Sequence, residues 1–216
     1  MESQQQIKNK EIGDWGLGTG NELIPNPQSP ISVEVELVHL FDKIRAVKAF
    51  VFDVDGVLTN NDLLVTESGE LLRIMNVRDG QAIKWAIQAG FPIAVITGGR
   101  SEGAKKRLTD LGVEEYYSGV KDKWVAFQSF LQRTGILMSE VCYMGDDLPD
   151  LPVLRKVGLA CCPSDAAPEV LGLARNSKEQ KMRGVADYIS PFPGGKGCVR
   201  DIIEKVLKLQ NKWPEY

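Results

Sequence analysis

The chain is predicted to be an α/β protein, with a mainly parallel sheet lying between helices. One pattern carries this. From Val47 onward, short apolar segments of strand length alternate with amphipathic segments of helical period. That alternation is the pattern that gathers parallel strands into one layer and lays their crossover helices on its faces. One stretch, 63–75, breaks the alternation with a hairpin pattern. Ligands of such folds lie beyond the carboxyl ends of the strands, above all where the strand order reverses.

Taken in order, residues 1–45 read as an N-terminal extension. Residues 1–32 are rich in Gln, Asn, Gly and Pro without sustained periodicity, so this part is expected to be loosely docked and partly disordered. Its Gly16, Gly18 and Gly20 follow no strand and precede no Lys-Ser/Thr pair, which argues against a phosphate loop. Val35, Val38 and Phe41 recur at helical spacing and predict a lead-in helix over 34–45. Residues 46–216 form the main domain. Apolar runs predict strands at 48–54, 92–97, 115–118, 141–144, 158–161 and 187–189. Amphipathic runs predict helices at 80–89, 101–111, 123–134, 148–156, 167–171 and 197–210.

The hairpin has a Ser68-Gly69 turn. Successive side chains of a strand point to opposite faces. Leu63 and Val65 against Leu64, and Leu71 against Leu72 and Ile74, therefore make both faces partly apolar. An isolated hairpin cannot bury both. Assembly with other subunits satisfies the pattern; packing under the chain's own extension is the alternative.

Composition narrows the chemistry. The 216 residues carry a net charge of −3, a hydrophobic content of 43% and one histidine, His39. A His-rich zinc site is excluded, and a Ser-His or Cys-His nucleophile would have to use His39. That residue sits in Val38-His39-Leu40-Phe41 and reads as a structural member of a helix face. Cys142, Cys161, Cys162 and Cys198 form no CxxC pair, as expected of a reduced, cytoplasmic protein. The near-balanced charge predicts no nucleic-acid or membrane partner. No leader pattern and no apolar run of about 20 residues is present.

The chemistry concentrates at strand ends. The first strand runs into Asp53-Val54-Asp55-Gly56-Val57, with two carboxylates beside a glycine that permits a sharp turn. Neighbouring carboxylates repel unless a cation or proton separates them. A second acidic run, Gly145-Asp146-Asp147-Leu148-Pro149-Asp150, follows the strand at 141–144, and the two runs together imply a shared divalent cation. Thr97-Gly98-Gly99 and Lys121-Asp122-Lys123 lie between them. A hydroxyl, free backbone amides and a lysine suit phosphate oxygens. Singly, each also reads as an ordinary turn or a solvated helix start; their order and placement are the signal.

This set of motifs resembles the haloacid dehalogenase superfamily of phosphatases across about 46–210. The resemblance implies a Rossmann-like domain in which Asp53 is the nucleophile and Asp55 the general acid and base. It implies Mg²⁺ held by Asp53, the Asp55 main-chain carbonyl and Asp146, with Thr97 and Lys123 on the phosphate oxygens. Asp147 and Asp150 would orient Lys123 or the metal's water shell, and Asp150 reads rather as a cap of the following helix. Only a hairpin and one helix fit between Thr59 and Thr97, so no separate cap domain is expected.

A closer resemblance is to the cap-less branch that hydrolyses 3-deoxy-D-manno-octulosonate (KDO) 8-phosphate in lipopolysaccharide synthesis. It rests on Asp55-Gly56-Val57-Leu58-Thr59, the hairpin, Asn76-Val77-Arg78-Asp79-Gly80, Ile96-Thr97-Gly98, Gly145-Asp146-Asp147-Leu148 and Gly194-Gly195-Lys196-Gly197-Cys198-Val199-Arg200-Asp201. It implies a homotetramer built through the hairpins, and a glycine-rich tail mobile enough to close over a neighbouring site. A small phosphorylated sugar-acid substrate needs further basic groups. Arg78 is the first candidate, with a surface pair to Asp79 or Glu70 as the alternative; Gly98, Arg100, Lys196 and Arg200 complete the substrate-binding set. Asn60-Asn61 departs from an Asp-Gly pair common in that branch and is expected to affect only a turn. Two alternatives stay open: a nine-carbon sugar acid 9-phosphate of the sialic acid or KDN type as substrate, and a non-catalytic assembly module.

Overall fold

A computed structural model describes residues 31–172 and 185–215. Most of the expected extension, including its glycine cluster, lies outside the described residues. Six strands form one wholly parallel sheet: β1 Ala49–Phe52, β4 Ile93–Ile96, β5 Glu115–Tyr117, β6 Val141–Met144, β7 Leu159–Cys162 and β8 Tyr188–Ile189. Their spatial order is β5-β4-β1-β6-β7-β8. The helices are α1 Ile31–Ala46, α2 Val77–Gln88, α3 Glu102–Asp110, α4 Lys123–Thr134, α5 Leu151–Leu154, α6 Pro168–Leu171 and α7 Cys198–Leu209.

The central strands are apolar throughout because both faces are covered. Phe50 and Phe52 pack with Ile83, Leu108, Ile202 and Val206, joining α2, α3 and α7 into one core. Ala49 and Val51 point the other way, toward Phe127 and Phe130 of α4, Leu154 of α5 and Val170 of α6. From β1 the chain builds β4 and β5 on one flank and returns with β6 on the other. The order reverses at β1, so the carboxyl ends of β4, β1 and β6 frame one crevice.

Each predicted strand of the sheet is found, and the differences are at the ends. The helix predicted over 148–156 is a single 3₁₀ turn, Leu148–Asp150, followed by the short α5. Pro149 and Pro152 supply no amide hydrogens, which shortens the run. The second helix begins earlier than periodicity suggests, because Asn76 caps it: Oδ1 accepts from the amides of Arg78 at 2.8 Å and Asp79 at 3.4 Å.

The hairpin is present and short. β2 (Leu64–Val65) pairs antiparallel with β3 (Leu71–Leu72), closed by Thr66, Ser68 and Gly69, whose φ is +83°. Leu63, Leu64, Val65, Leu71, Leu72 and Ile74 are all exposed in the single chain.

The glycine-rich tail is docked on its own chain. Gly195 donates its amide to Val57 O at 2.9 Å, and Gly194 to Asp165 Oδ1 at 2.9 Å. A Cβ at Gly194 would lie 2.1 Å from Gly56 O, so these glycines permit close docking onto the chain's own acidic loop. The helix that follows is anchored by Asp79, which accepts from Gly197 N at 3.2 Å and Arg200 N at 2.7 Å. Asp79 therefore caps α7 and is not the ion-pair partner of Arg78.

The end of α1 joins the same core through Ile44, and Gln210 Nε2 donates to Val47 O at 2.8 Å. His39 is exposed on α1 and lines no part of the crevice. Among the described residues, no helix is long and apolar enough to cross a membrane.

Candidate active site

Asp53 directly follows β1, and its amide donates to Met144 O at 3.1 Å, tying it to the end of β6. Its carboxylate is buried: Oδ1 accepts from Val54 N at 2.7 Å, and Oδ2 meets Lys123 Nζ at 2.7 Å. Gly56, at φ +86°, then turns the chain sharply. A Cβ there would lie 2.0 Å from Asp146 Oδ2, so only glycine leaves room for the second acidic run.

Lys123 opens α4, whose N-cap is Asp122. Its ammonium is buried between Asp53 Oδ2 and Asp150 Oδ1, the latter at 2.8 Å. Burial alone would lower its pKa, but the two carboxylates outweigh burial and hold it above the ordinary lysine value. Asp150 is wholly buried and also accepts from Tyr143 Oη at 2.5 Å. The expectation that Asp150 serves mainly as a helix cap is thus corrected: its Oδ1 anchors Lys123, and it makes no side-chain cap for α5, while its Oδ2 accepts from Asp147 N at 3.4 Å at the start of the 3₁₀ turn.

Asp146, beyond β6, is buried and accepts from Asn61 Nδ2 at 3.0 Å. Asn61 has φ +66°, which asparagine tolerates better than most residues. The Asn60-Asn61 departure therefore reaches the site itself, where a bare turn was expected. Burial raises Asp53 to about 7, with Asp150 adding and Lys123 opposing. Burial likewise raises Asp146 to about 6 against the pull of Asn61. Carboxylate oxygens of Asp53, Asp146 and Asp150 come within 4.8 Å of one another. This all-oxygen donor set fits a hard divalent cation. Asp150 already serves Lys123 and Tyr143, so Asp53 and Asp146 are the members best able to hold it.

Thr97 follows β4 and is buried; its Oγ1 accepts from Gly99 N at 3.1 Å, leaving the hydroxyl hydrogen available to donate. Asp53, Asp55, Thr97, Gly98, Lys123 and Asp146 line one cleft of about 210 Å³. Asp55 is engaged by a residue that the sequence did not single out: Arg73 Nε donates to Oδ1 at 2.7 Å and Nη2 to Oδ2 at 3.0 Å.

The basic residues assigned to substrate do not join this cleft. Arg78, Lys196 and Arg200 line a separate one of about 470 Å³ beside α7, where Arg200 Nε meets Glu204 at 3.3 Å and its guanidinium lies over Trp85 and Trp213. Arg100 lines a third, larger cavity with Arg73 and Arg107.

An acidic, lysine-anchored crevice at the switch point of a parallel sheet defines a hydrolase of the haloacid dehalogenase-like class, a phosphoric monoester hydrolase. The family model of haloacid dehalogenase-like hydrolases matches residues 69–158, a span containing Thr97, Lys123, Asp146 and Asp150. The chain is 34% identical over 177 residues to 3-deoxy-D-manno-octulosonate 8-phosphate phosphatase KdsC of Salmonella typhi, covering 82% of this chain and 88% of that one. It is 33% identical over 186 residues to the Escherichia coli K12 enzyme of the same name, covering 86% and 90%. The solved structure of the Yersinia pestis phosphatase superposes with a TM-score of 0.74 at 32% identity, covering 81% of this chain and 88% of that one. That of Moraxella catarrhalis, in complex with magnesium, phosphate and KDO, gives 0.71 at 31%, covering 80% and 92%. The chain belongs to the family of the KDO 8-phosphate phosphatases within the haloacid dehalogenase-like hydrolases.

Proposed function

We propose that the chain is a Mg²⁺-dependent phosphatase that hydrolyses KDO 8-phosphate to KDO and inorganic phosphate, in lipopolysaccharide biosynthesis, through a phosphoryl group carried on Asp53. The convergence of Asp53, Thr97 and Asp146 at three adjacent strand ends, with Lys123 joining them from the start of α4, is the observation that carries this reading. The substrate follows from the names of the relatives at 33–34% identity.

Asp53 attacks phosphorus as the bond to the sugar oxygen breaks, and Asp55 gives that oxygen its proton. Water then attacks the phosphorus, Asp55 takes the water's proton, and Asp53 is restored. Lys123 holds the Asp53 carboxylate in place and offsets its charge against the incoming phosphate. The Thr97 hydroxyl and the Gly98 amide donate to phosphate oxygens; single donors of this kind are commonly worth about 10²–10³-fold in rate. Asp53, Asp146 and the Asp55 carbonyl would hold Mg²⁺, which would supply charge neutralisation at the phosphoryl group.

Of the basic residues assigned to the sugar acid, Arg100 lies nearest in sequence to the Thr97 loop. Arg78, Lys196 and Arg200 act on a site only if assembly brings their cleft to it. The exposed apolar hairpin supports such an assembly, a homotetramer. Four buried free cysteines suit the cytoplasm.

The test is phosphate release with Mg²⁺ from KDO 8-phosphate and from nine-carbon sugar acid 9-phosphates. Faster turnover of a nine-carbon ester overturns the substrate assignment. Asp53→Asn is expected to abolish release while leaving the fold intact; unchanged release removes Asp53 from the nucleophile's role and favours a non-catalytic module or another site.

A further inference from the structure

We propose that Arg73 is a positioning residue for Asp55, setting its carboxylate to take the proton of the attacking water in the second step of the reaction. The inference rests on the role given to Asp55 above. Arg73 lies just past β3, and its guanidinium grips Asp55 at two points, Nε on Oδ1 at 2.7 Å and Nη2 on Oδ2 at 3.0 Å. The third nitrogen, Nη1, donates to Leu71 O at 3.2 Å, so the guanidinium is itself fixed to the hairpin. The Arg73 side chain is only 5% exposed.

Room for this arrangement is made by the Thr97 loop. A Cβ on Gly99 would lie 2.9 Å from Arg73 Nη2 and 2.9 Å from Asp55 Oδ2. Glycine at 99 thus lets the hairpin, the loop after β4 and the loop after β1 meet at the acid/base carboxylate. Among the described residues, no other hydrogen bond holds that carboxylate. An aspartate side chain has two free torsions, and a planar two-point pair restricts both. Exposed single-point ion pairs do little of this kind, whereas misplacing a catalytic group by about 1 Å costs about 10²-fold.

Asp55 must present an oxygen to the attacking water in the second step. Arg73 provides that fixed orientation while touching neither reacting atom. Its effect should therefore vanish when Asp55 can no longer transfer protons, and should be smallest in a step that needs no proton.

Arg73→Gln, Arg73→Lys, Asp55→Asn and the Arg73→Gln/Asp55→Asn double variant test this with two esters. On KDO 8-phosphate, Arg73→Gln is expected to lower kcat about 10- to 100-fold with KM changed less than about threefold, and Arg73→Lys to fall between it and the wild type. The leaving group of p-nitrophenyl phosphate departs without protonation. Rapid mixing of Arg73→Gln with this ester should keep a first-turnover burst near the wild-type rate, followed by slow steady turnover as water attack waits on Asp55. The double variant should be no slower than Asp55→Asn alone.

An Arg73→Gln loss as large in the Asp55→Asn background as in the wild type overturns the proposal. So does a raised KM with unchanged kcat, or a burst lost in step with overall turnover. Phosphate release by the wild type with Arg73→Gln indistinguishable from it overturns the role of Arg73 alone. Absence of release from every ester by the wild type overturns the phosphatase reading, and the role of Arg73 with it.

Discussion

Asp150 Oδ1 lies 2.8 Å from Lys123 Nζ, with both side chains buried. A buried ammonium must be compensated, and Asp53 alone would have to do it if Asp150 were lost. Tyr143, whose hydroxyl ends on the same oxygen, would lose its acceptor as well. Asp150→Ala is therefore expected to lower stability by about 3 kcal/mol, measured by urea unfolding, as removal of one member of a buried pair does. Phosphate release should fall with it, because Lys123 is then free to swing. Asp150→Asn, which keeps the shape and an acceptor oxygen, should recover most of the stability and little of the rate.

Gly56→Ala tests the packing of the two acidic runs. The new methyl would meet Asp146 Oδ2 at 2.0 Å and Asn61 Nδ2 at 2.6 Å, at a backbone φ of +86°. The backbone strain alone costs about 1–2 kcal/mol. Asp146 must also move, so Mg²⁺ affinity measured by calorimetry should drop by at least about tenfold. An affinity equal to the wild type's would remove Asp146 from the metal site.

The sheet was legible because burial on both faces leaves runs such as Ala49-Phe50-Val51-Phe52 with no polar interruption. Asp53, Thr97 and Asp146 at strand ends, and Lys123 at a helix start, were legible because placement and residue type point the same way. Arg73, Asn61 and Tyr143 were not, since their partners lie 18, 85 and 7 residues away and nothing local marks the pairing. A hint was available for Arg73, the lone charge in Leu71-Leu72-Arg73-Ile74-Met75. For Asp150 the sequence favoured capping over its alternative of orienting Lys123, because a carboxylate just before a short helix looks like a cap; its burial beneath Lys123 is a tertiary fact.

The hairpin gives a prediction about assembly. Leu64 is 65% and Ile74 78% exposed in the single chain, so replacing both by lysine should change the stability of the folded subunit by less than about 0.5 kcal/mol per site. Burying those lysines between subunits would be costly. Sedimentation velocity should show the wild type as a tetramer and the Leu64→Lys/Ile74→Lys variant as a monomer. A variant that sediments with the wild type would place the contact elsewhere.

Proton and metal compete for the same buried carboxylates, which fixes the sign of a pH effect. In the unfolded chain Asp53 and Asp146 titrate near 3.8, and in the metal-free folded protein at about 7 and about 6. Between those limits the folded protein holds more protons than the unfolded chain, so its stability falls as pH rises through the window. The Lys123 shift acts only near the far higher lysine range and leaves this sign unchanged. Mg²⁺ binds the ionised carboxylates and relieves their burial cost, so the gain in melting temperature on adding it should be small near about pH 5 and grow toward about pH 8. Thermal unfolding with Mg²⁺ and with a chelator, at several pH values, measures both trends at once. Asp146→Asn should flatten the Mg²⁺-dependent gain; a gain of the same size at every pH would mean that the ion binds away from this pair.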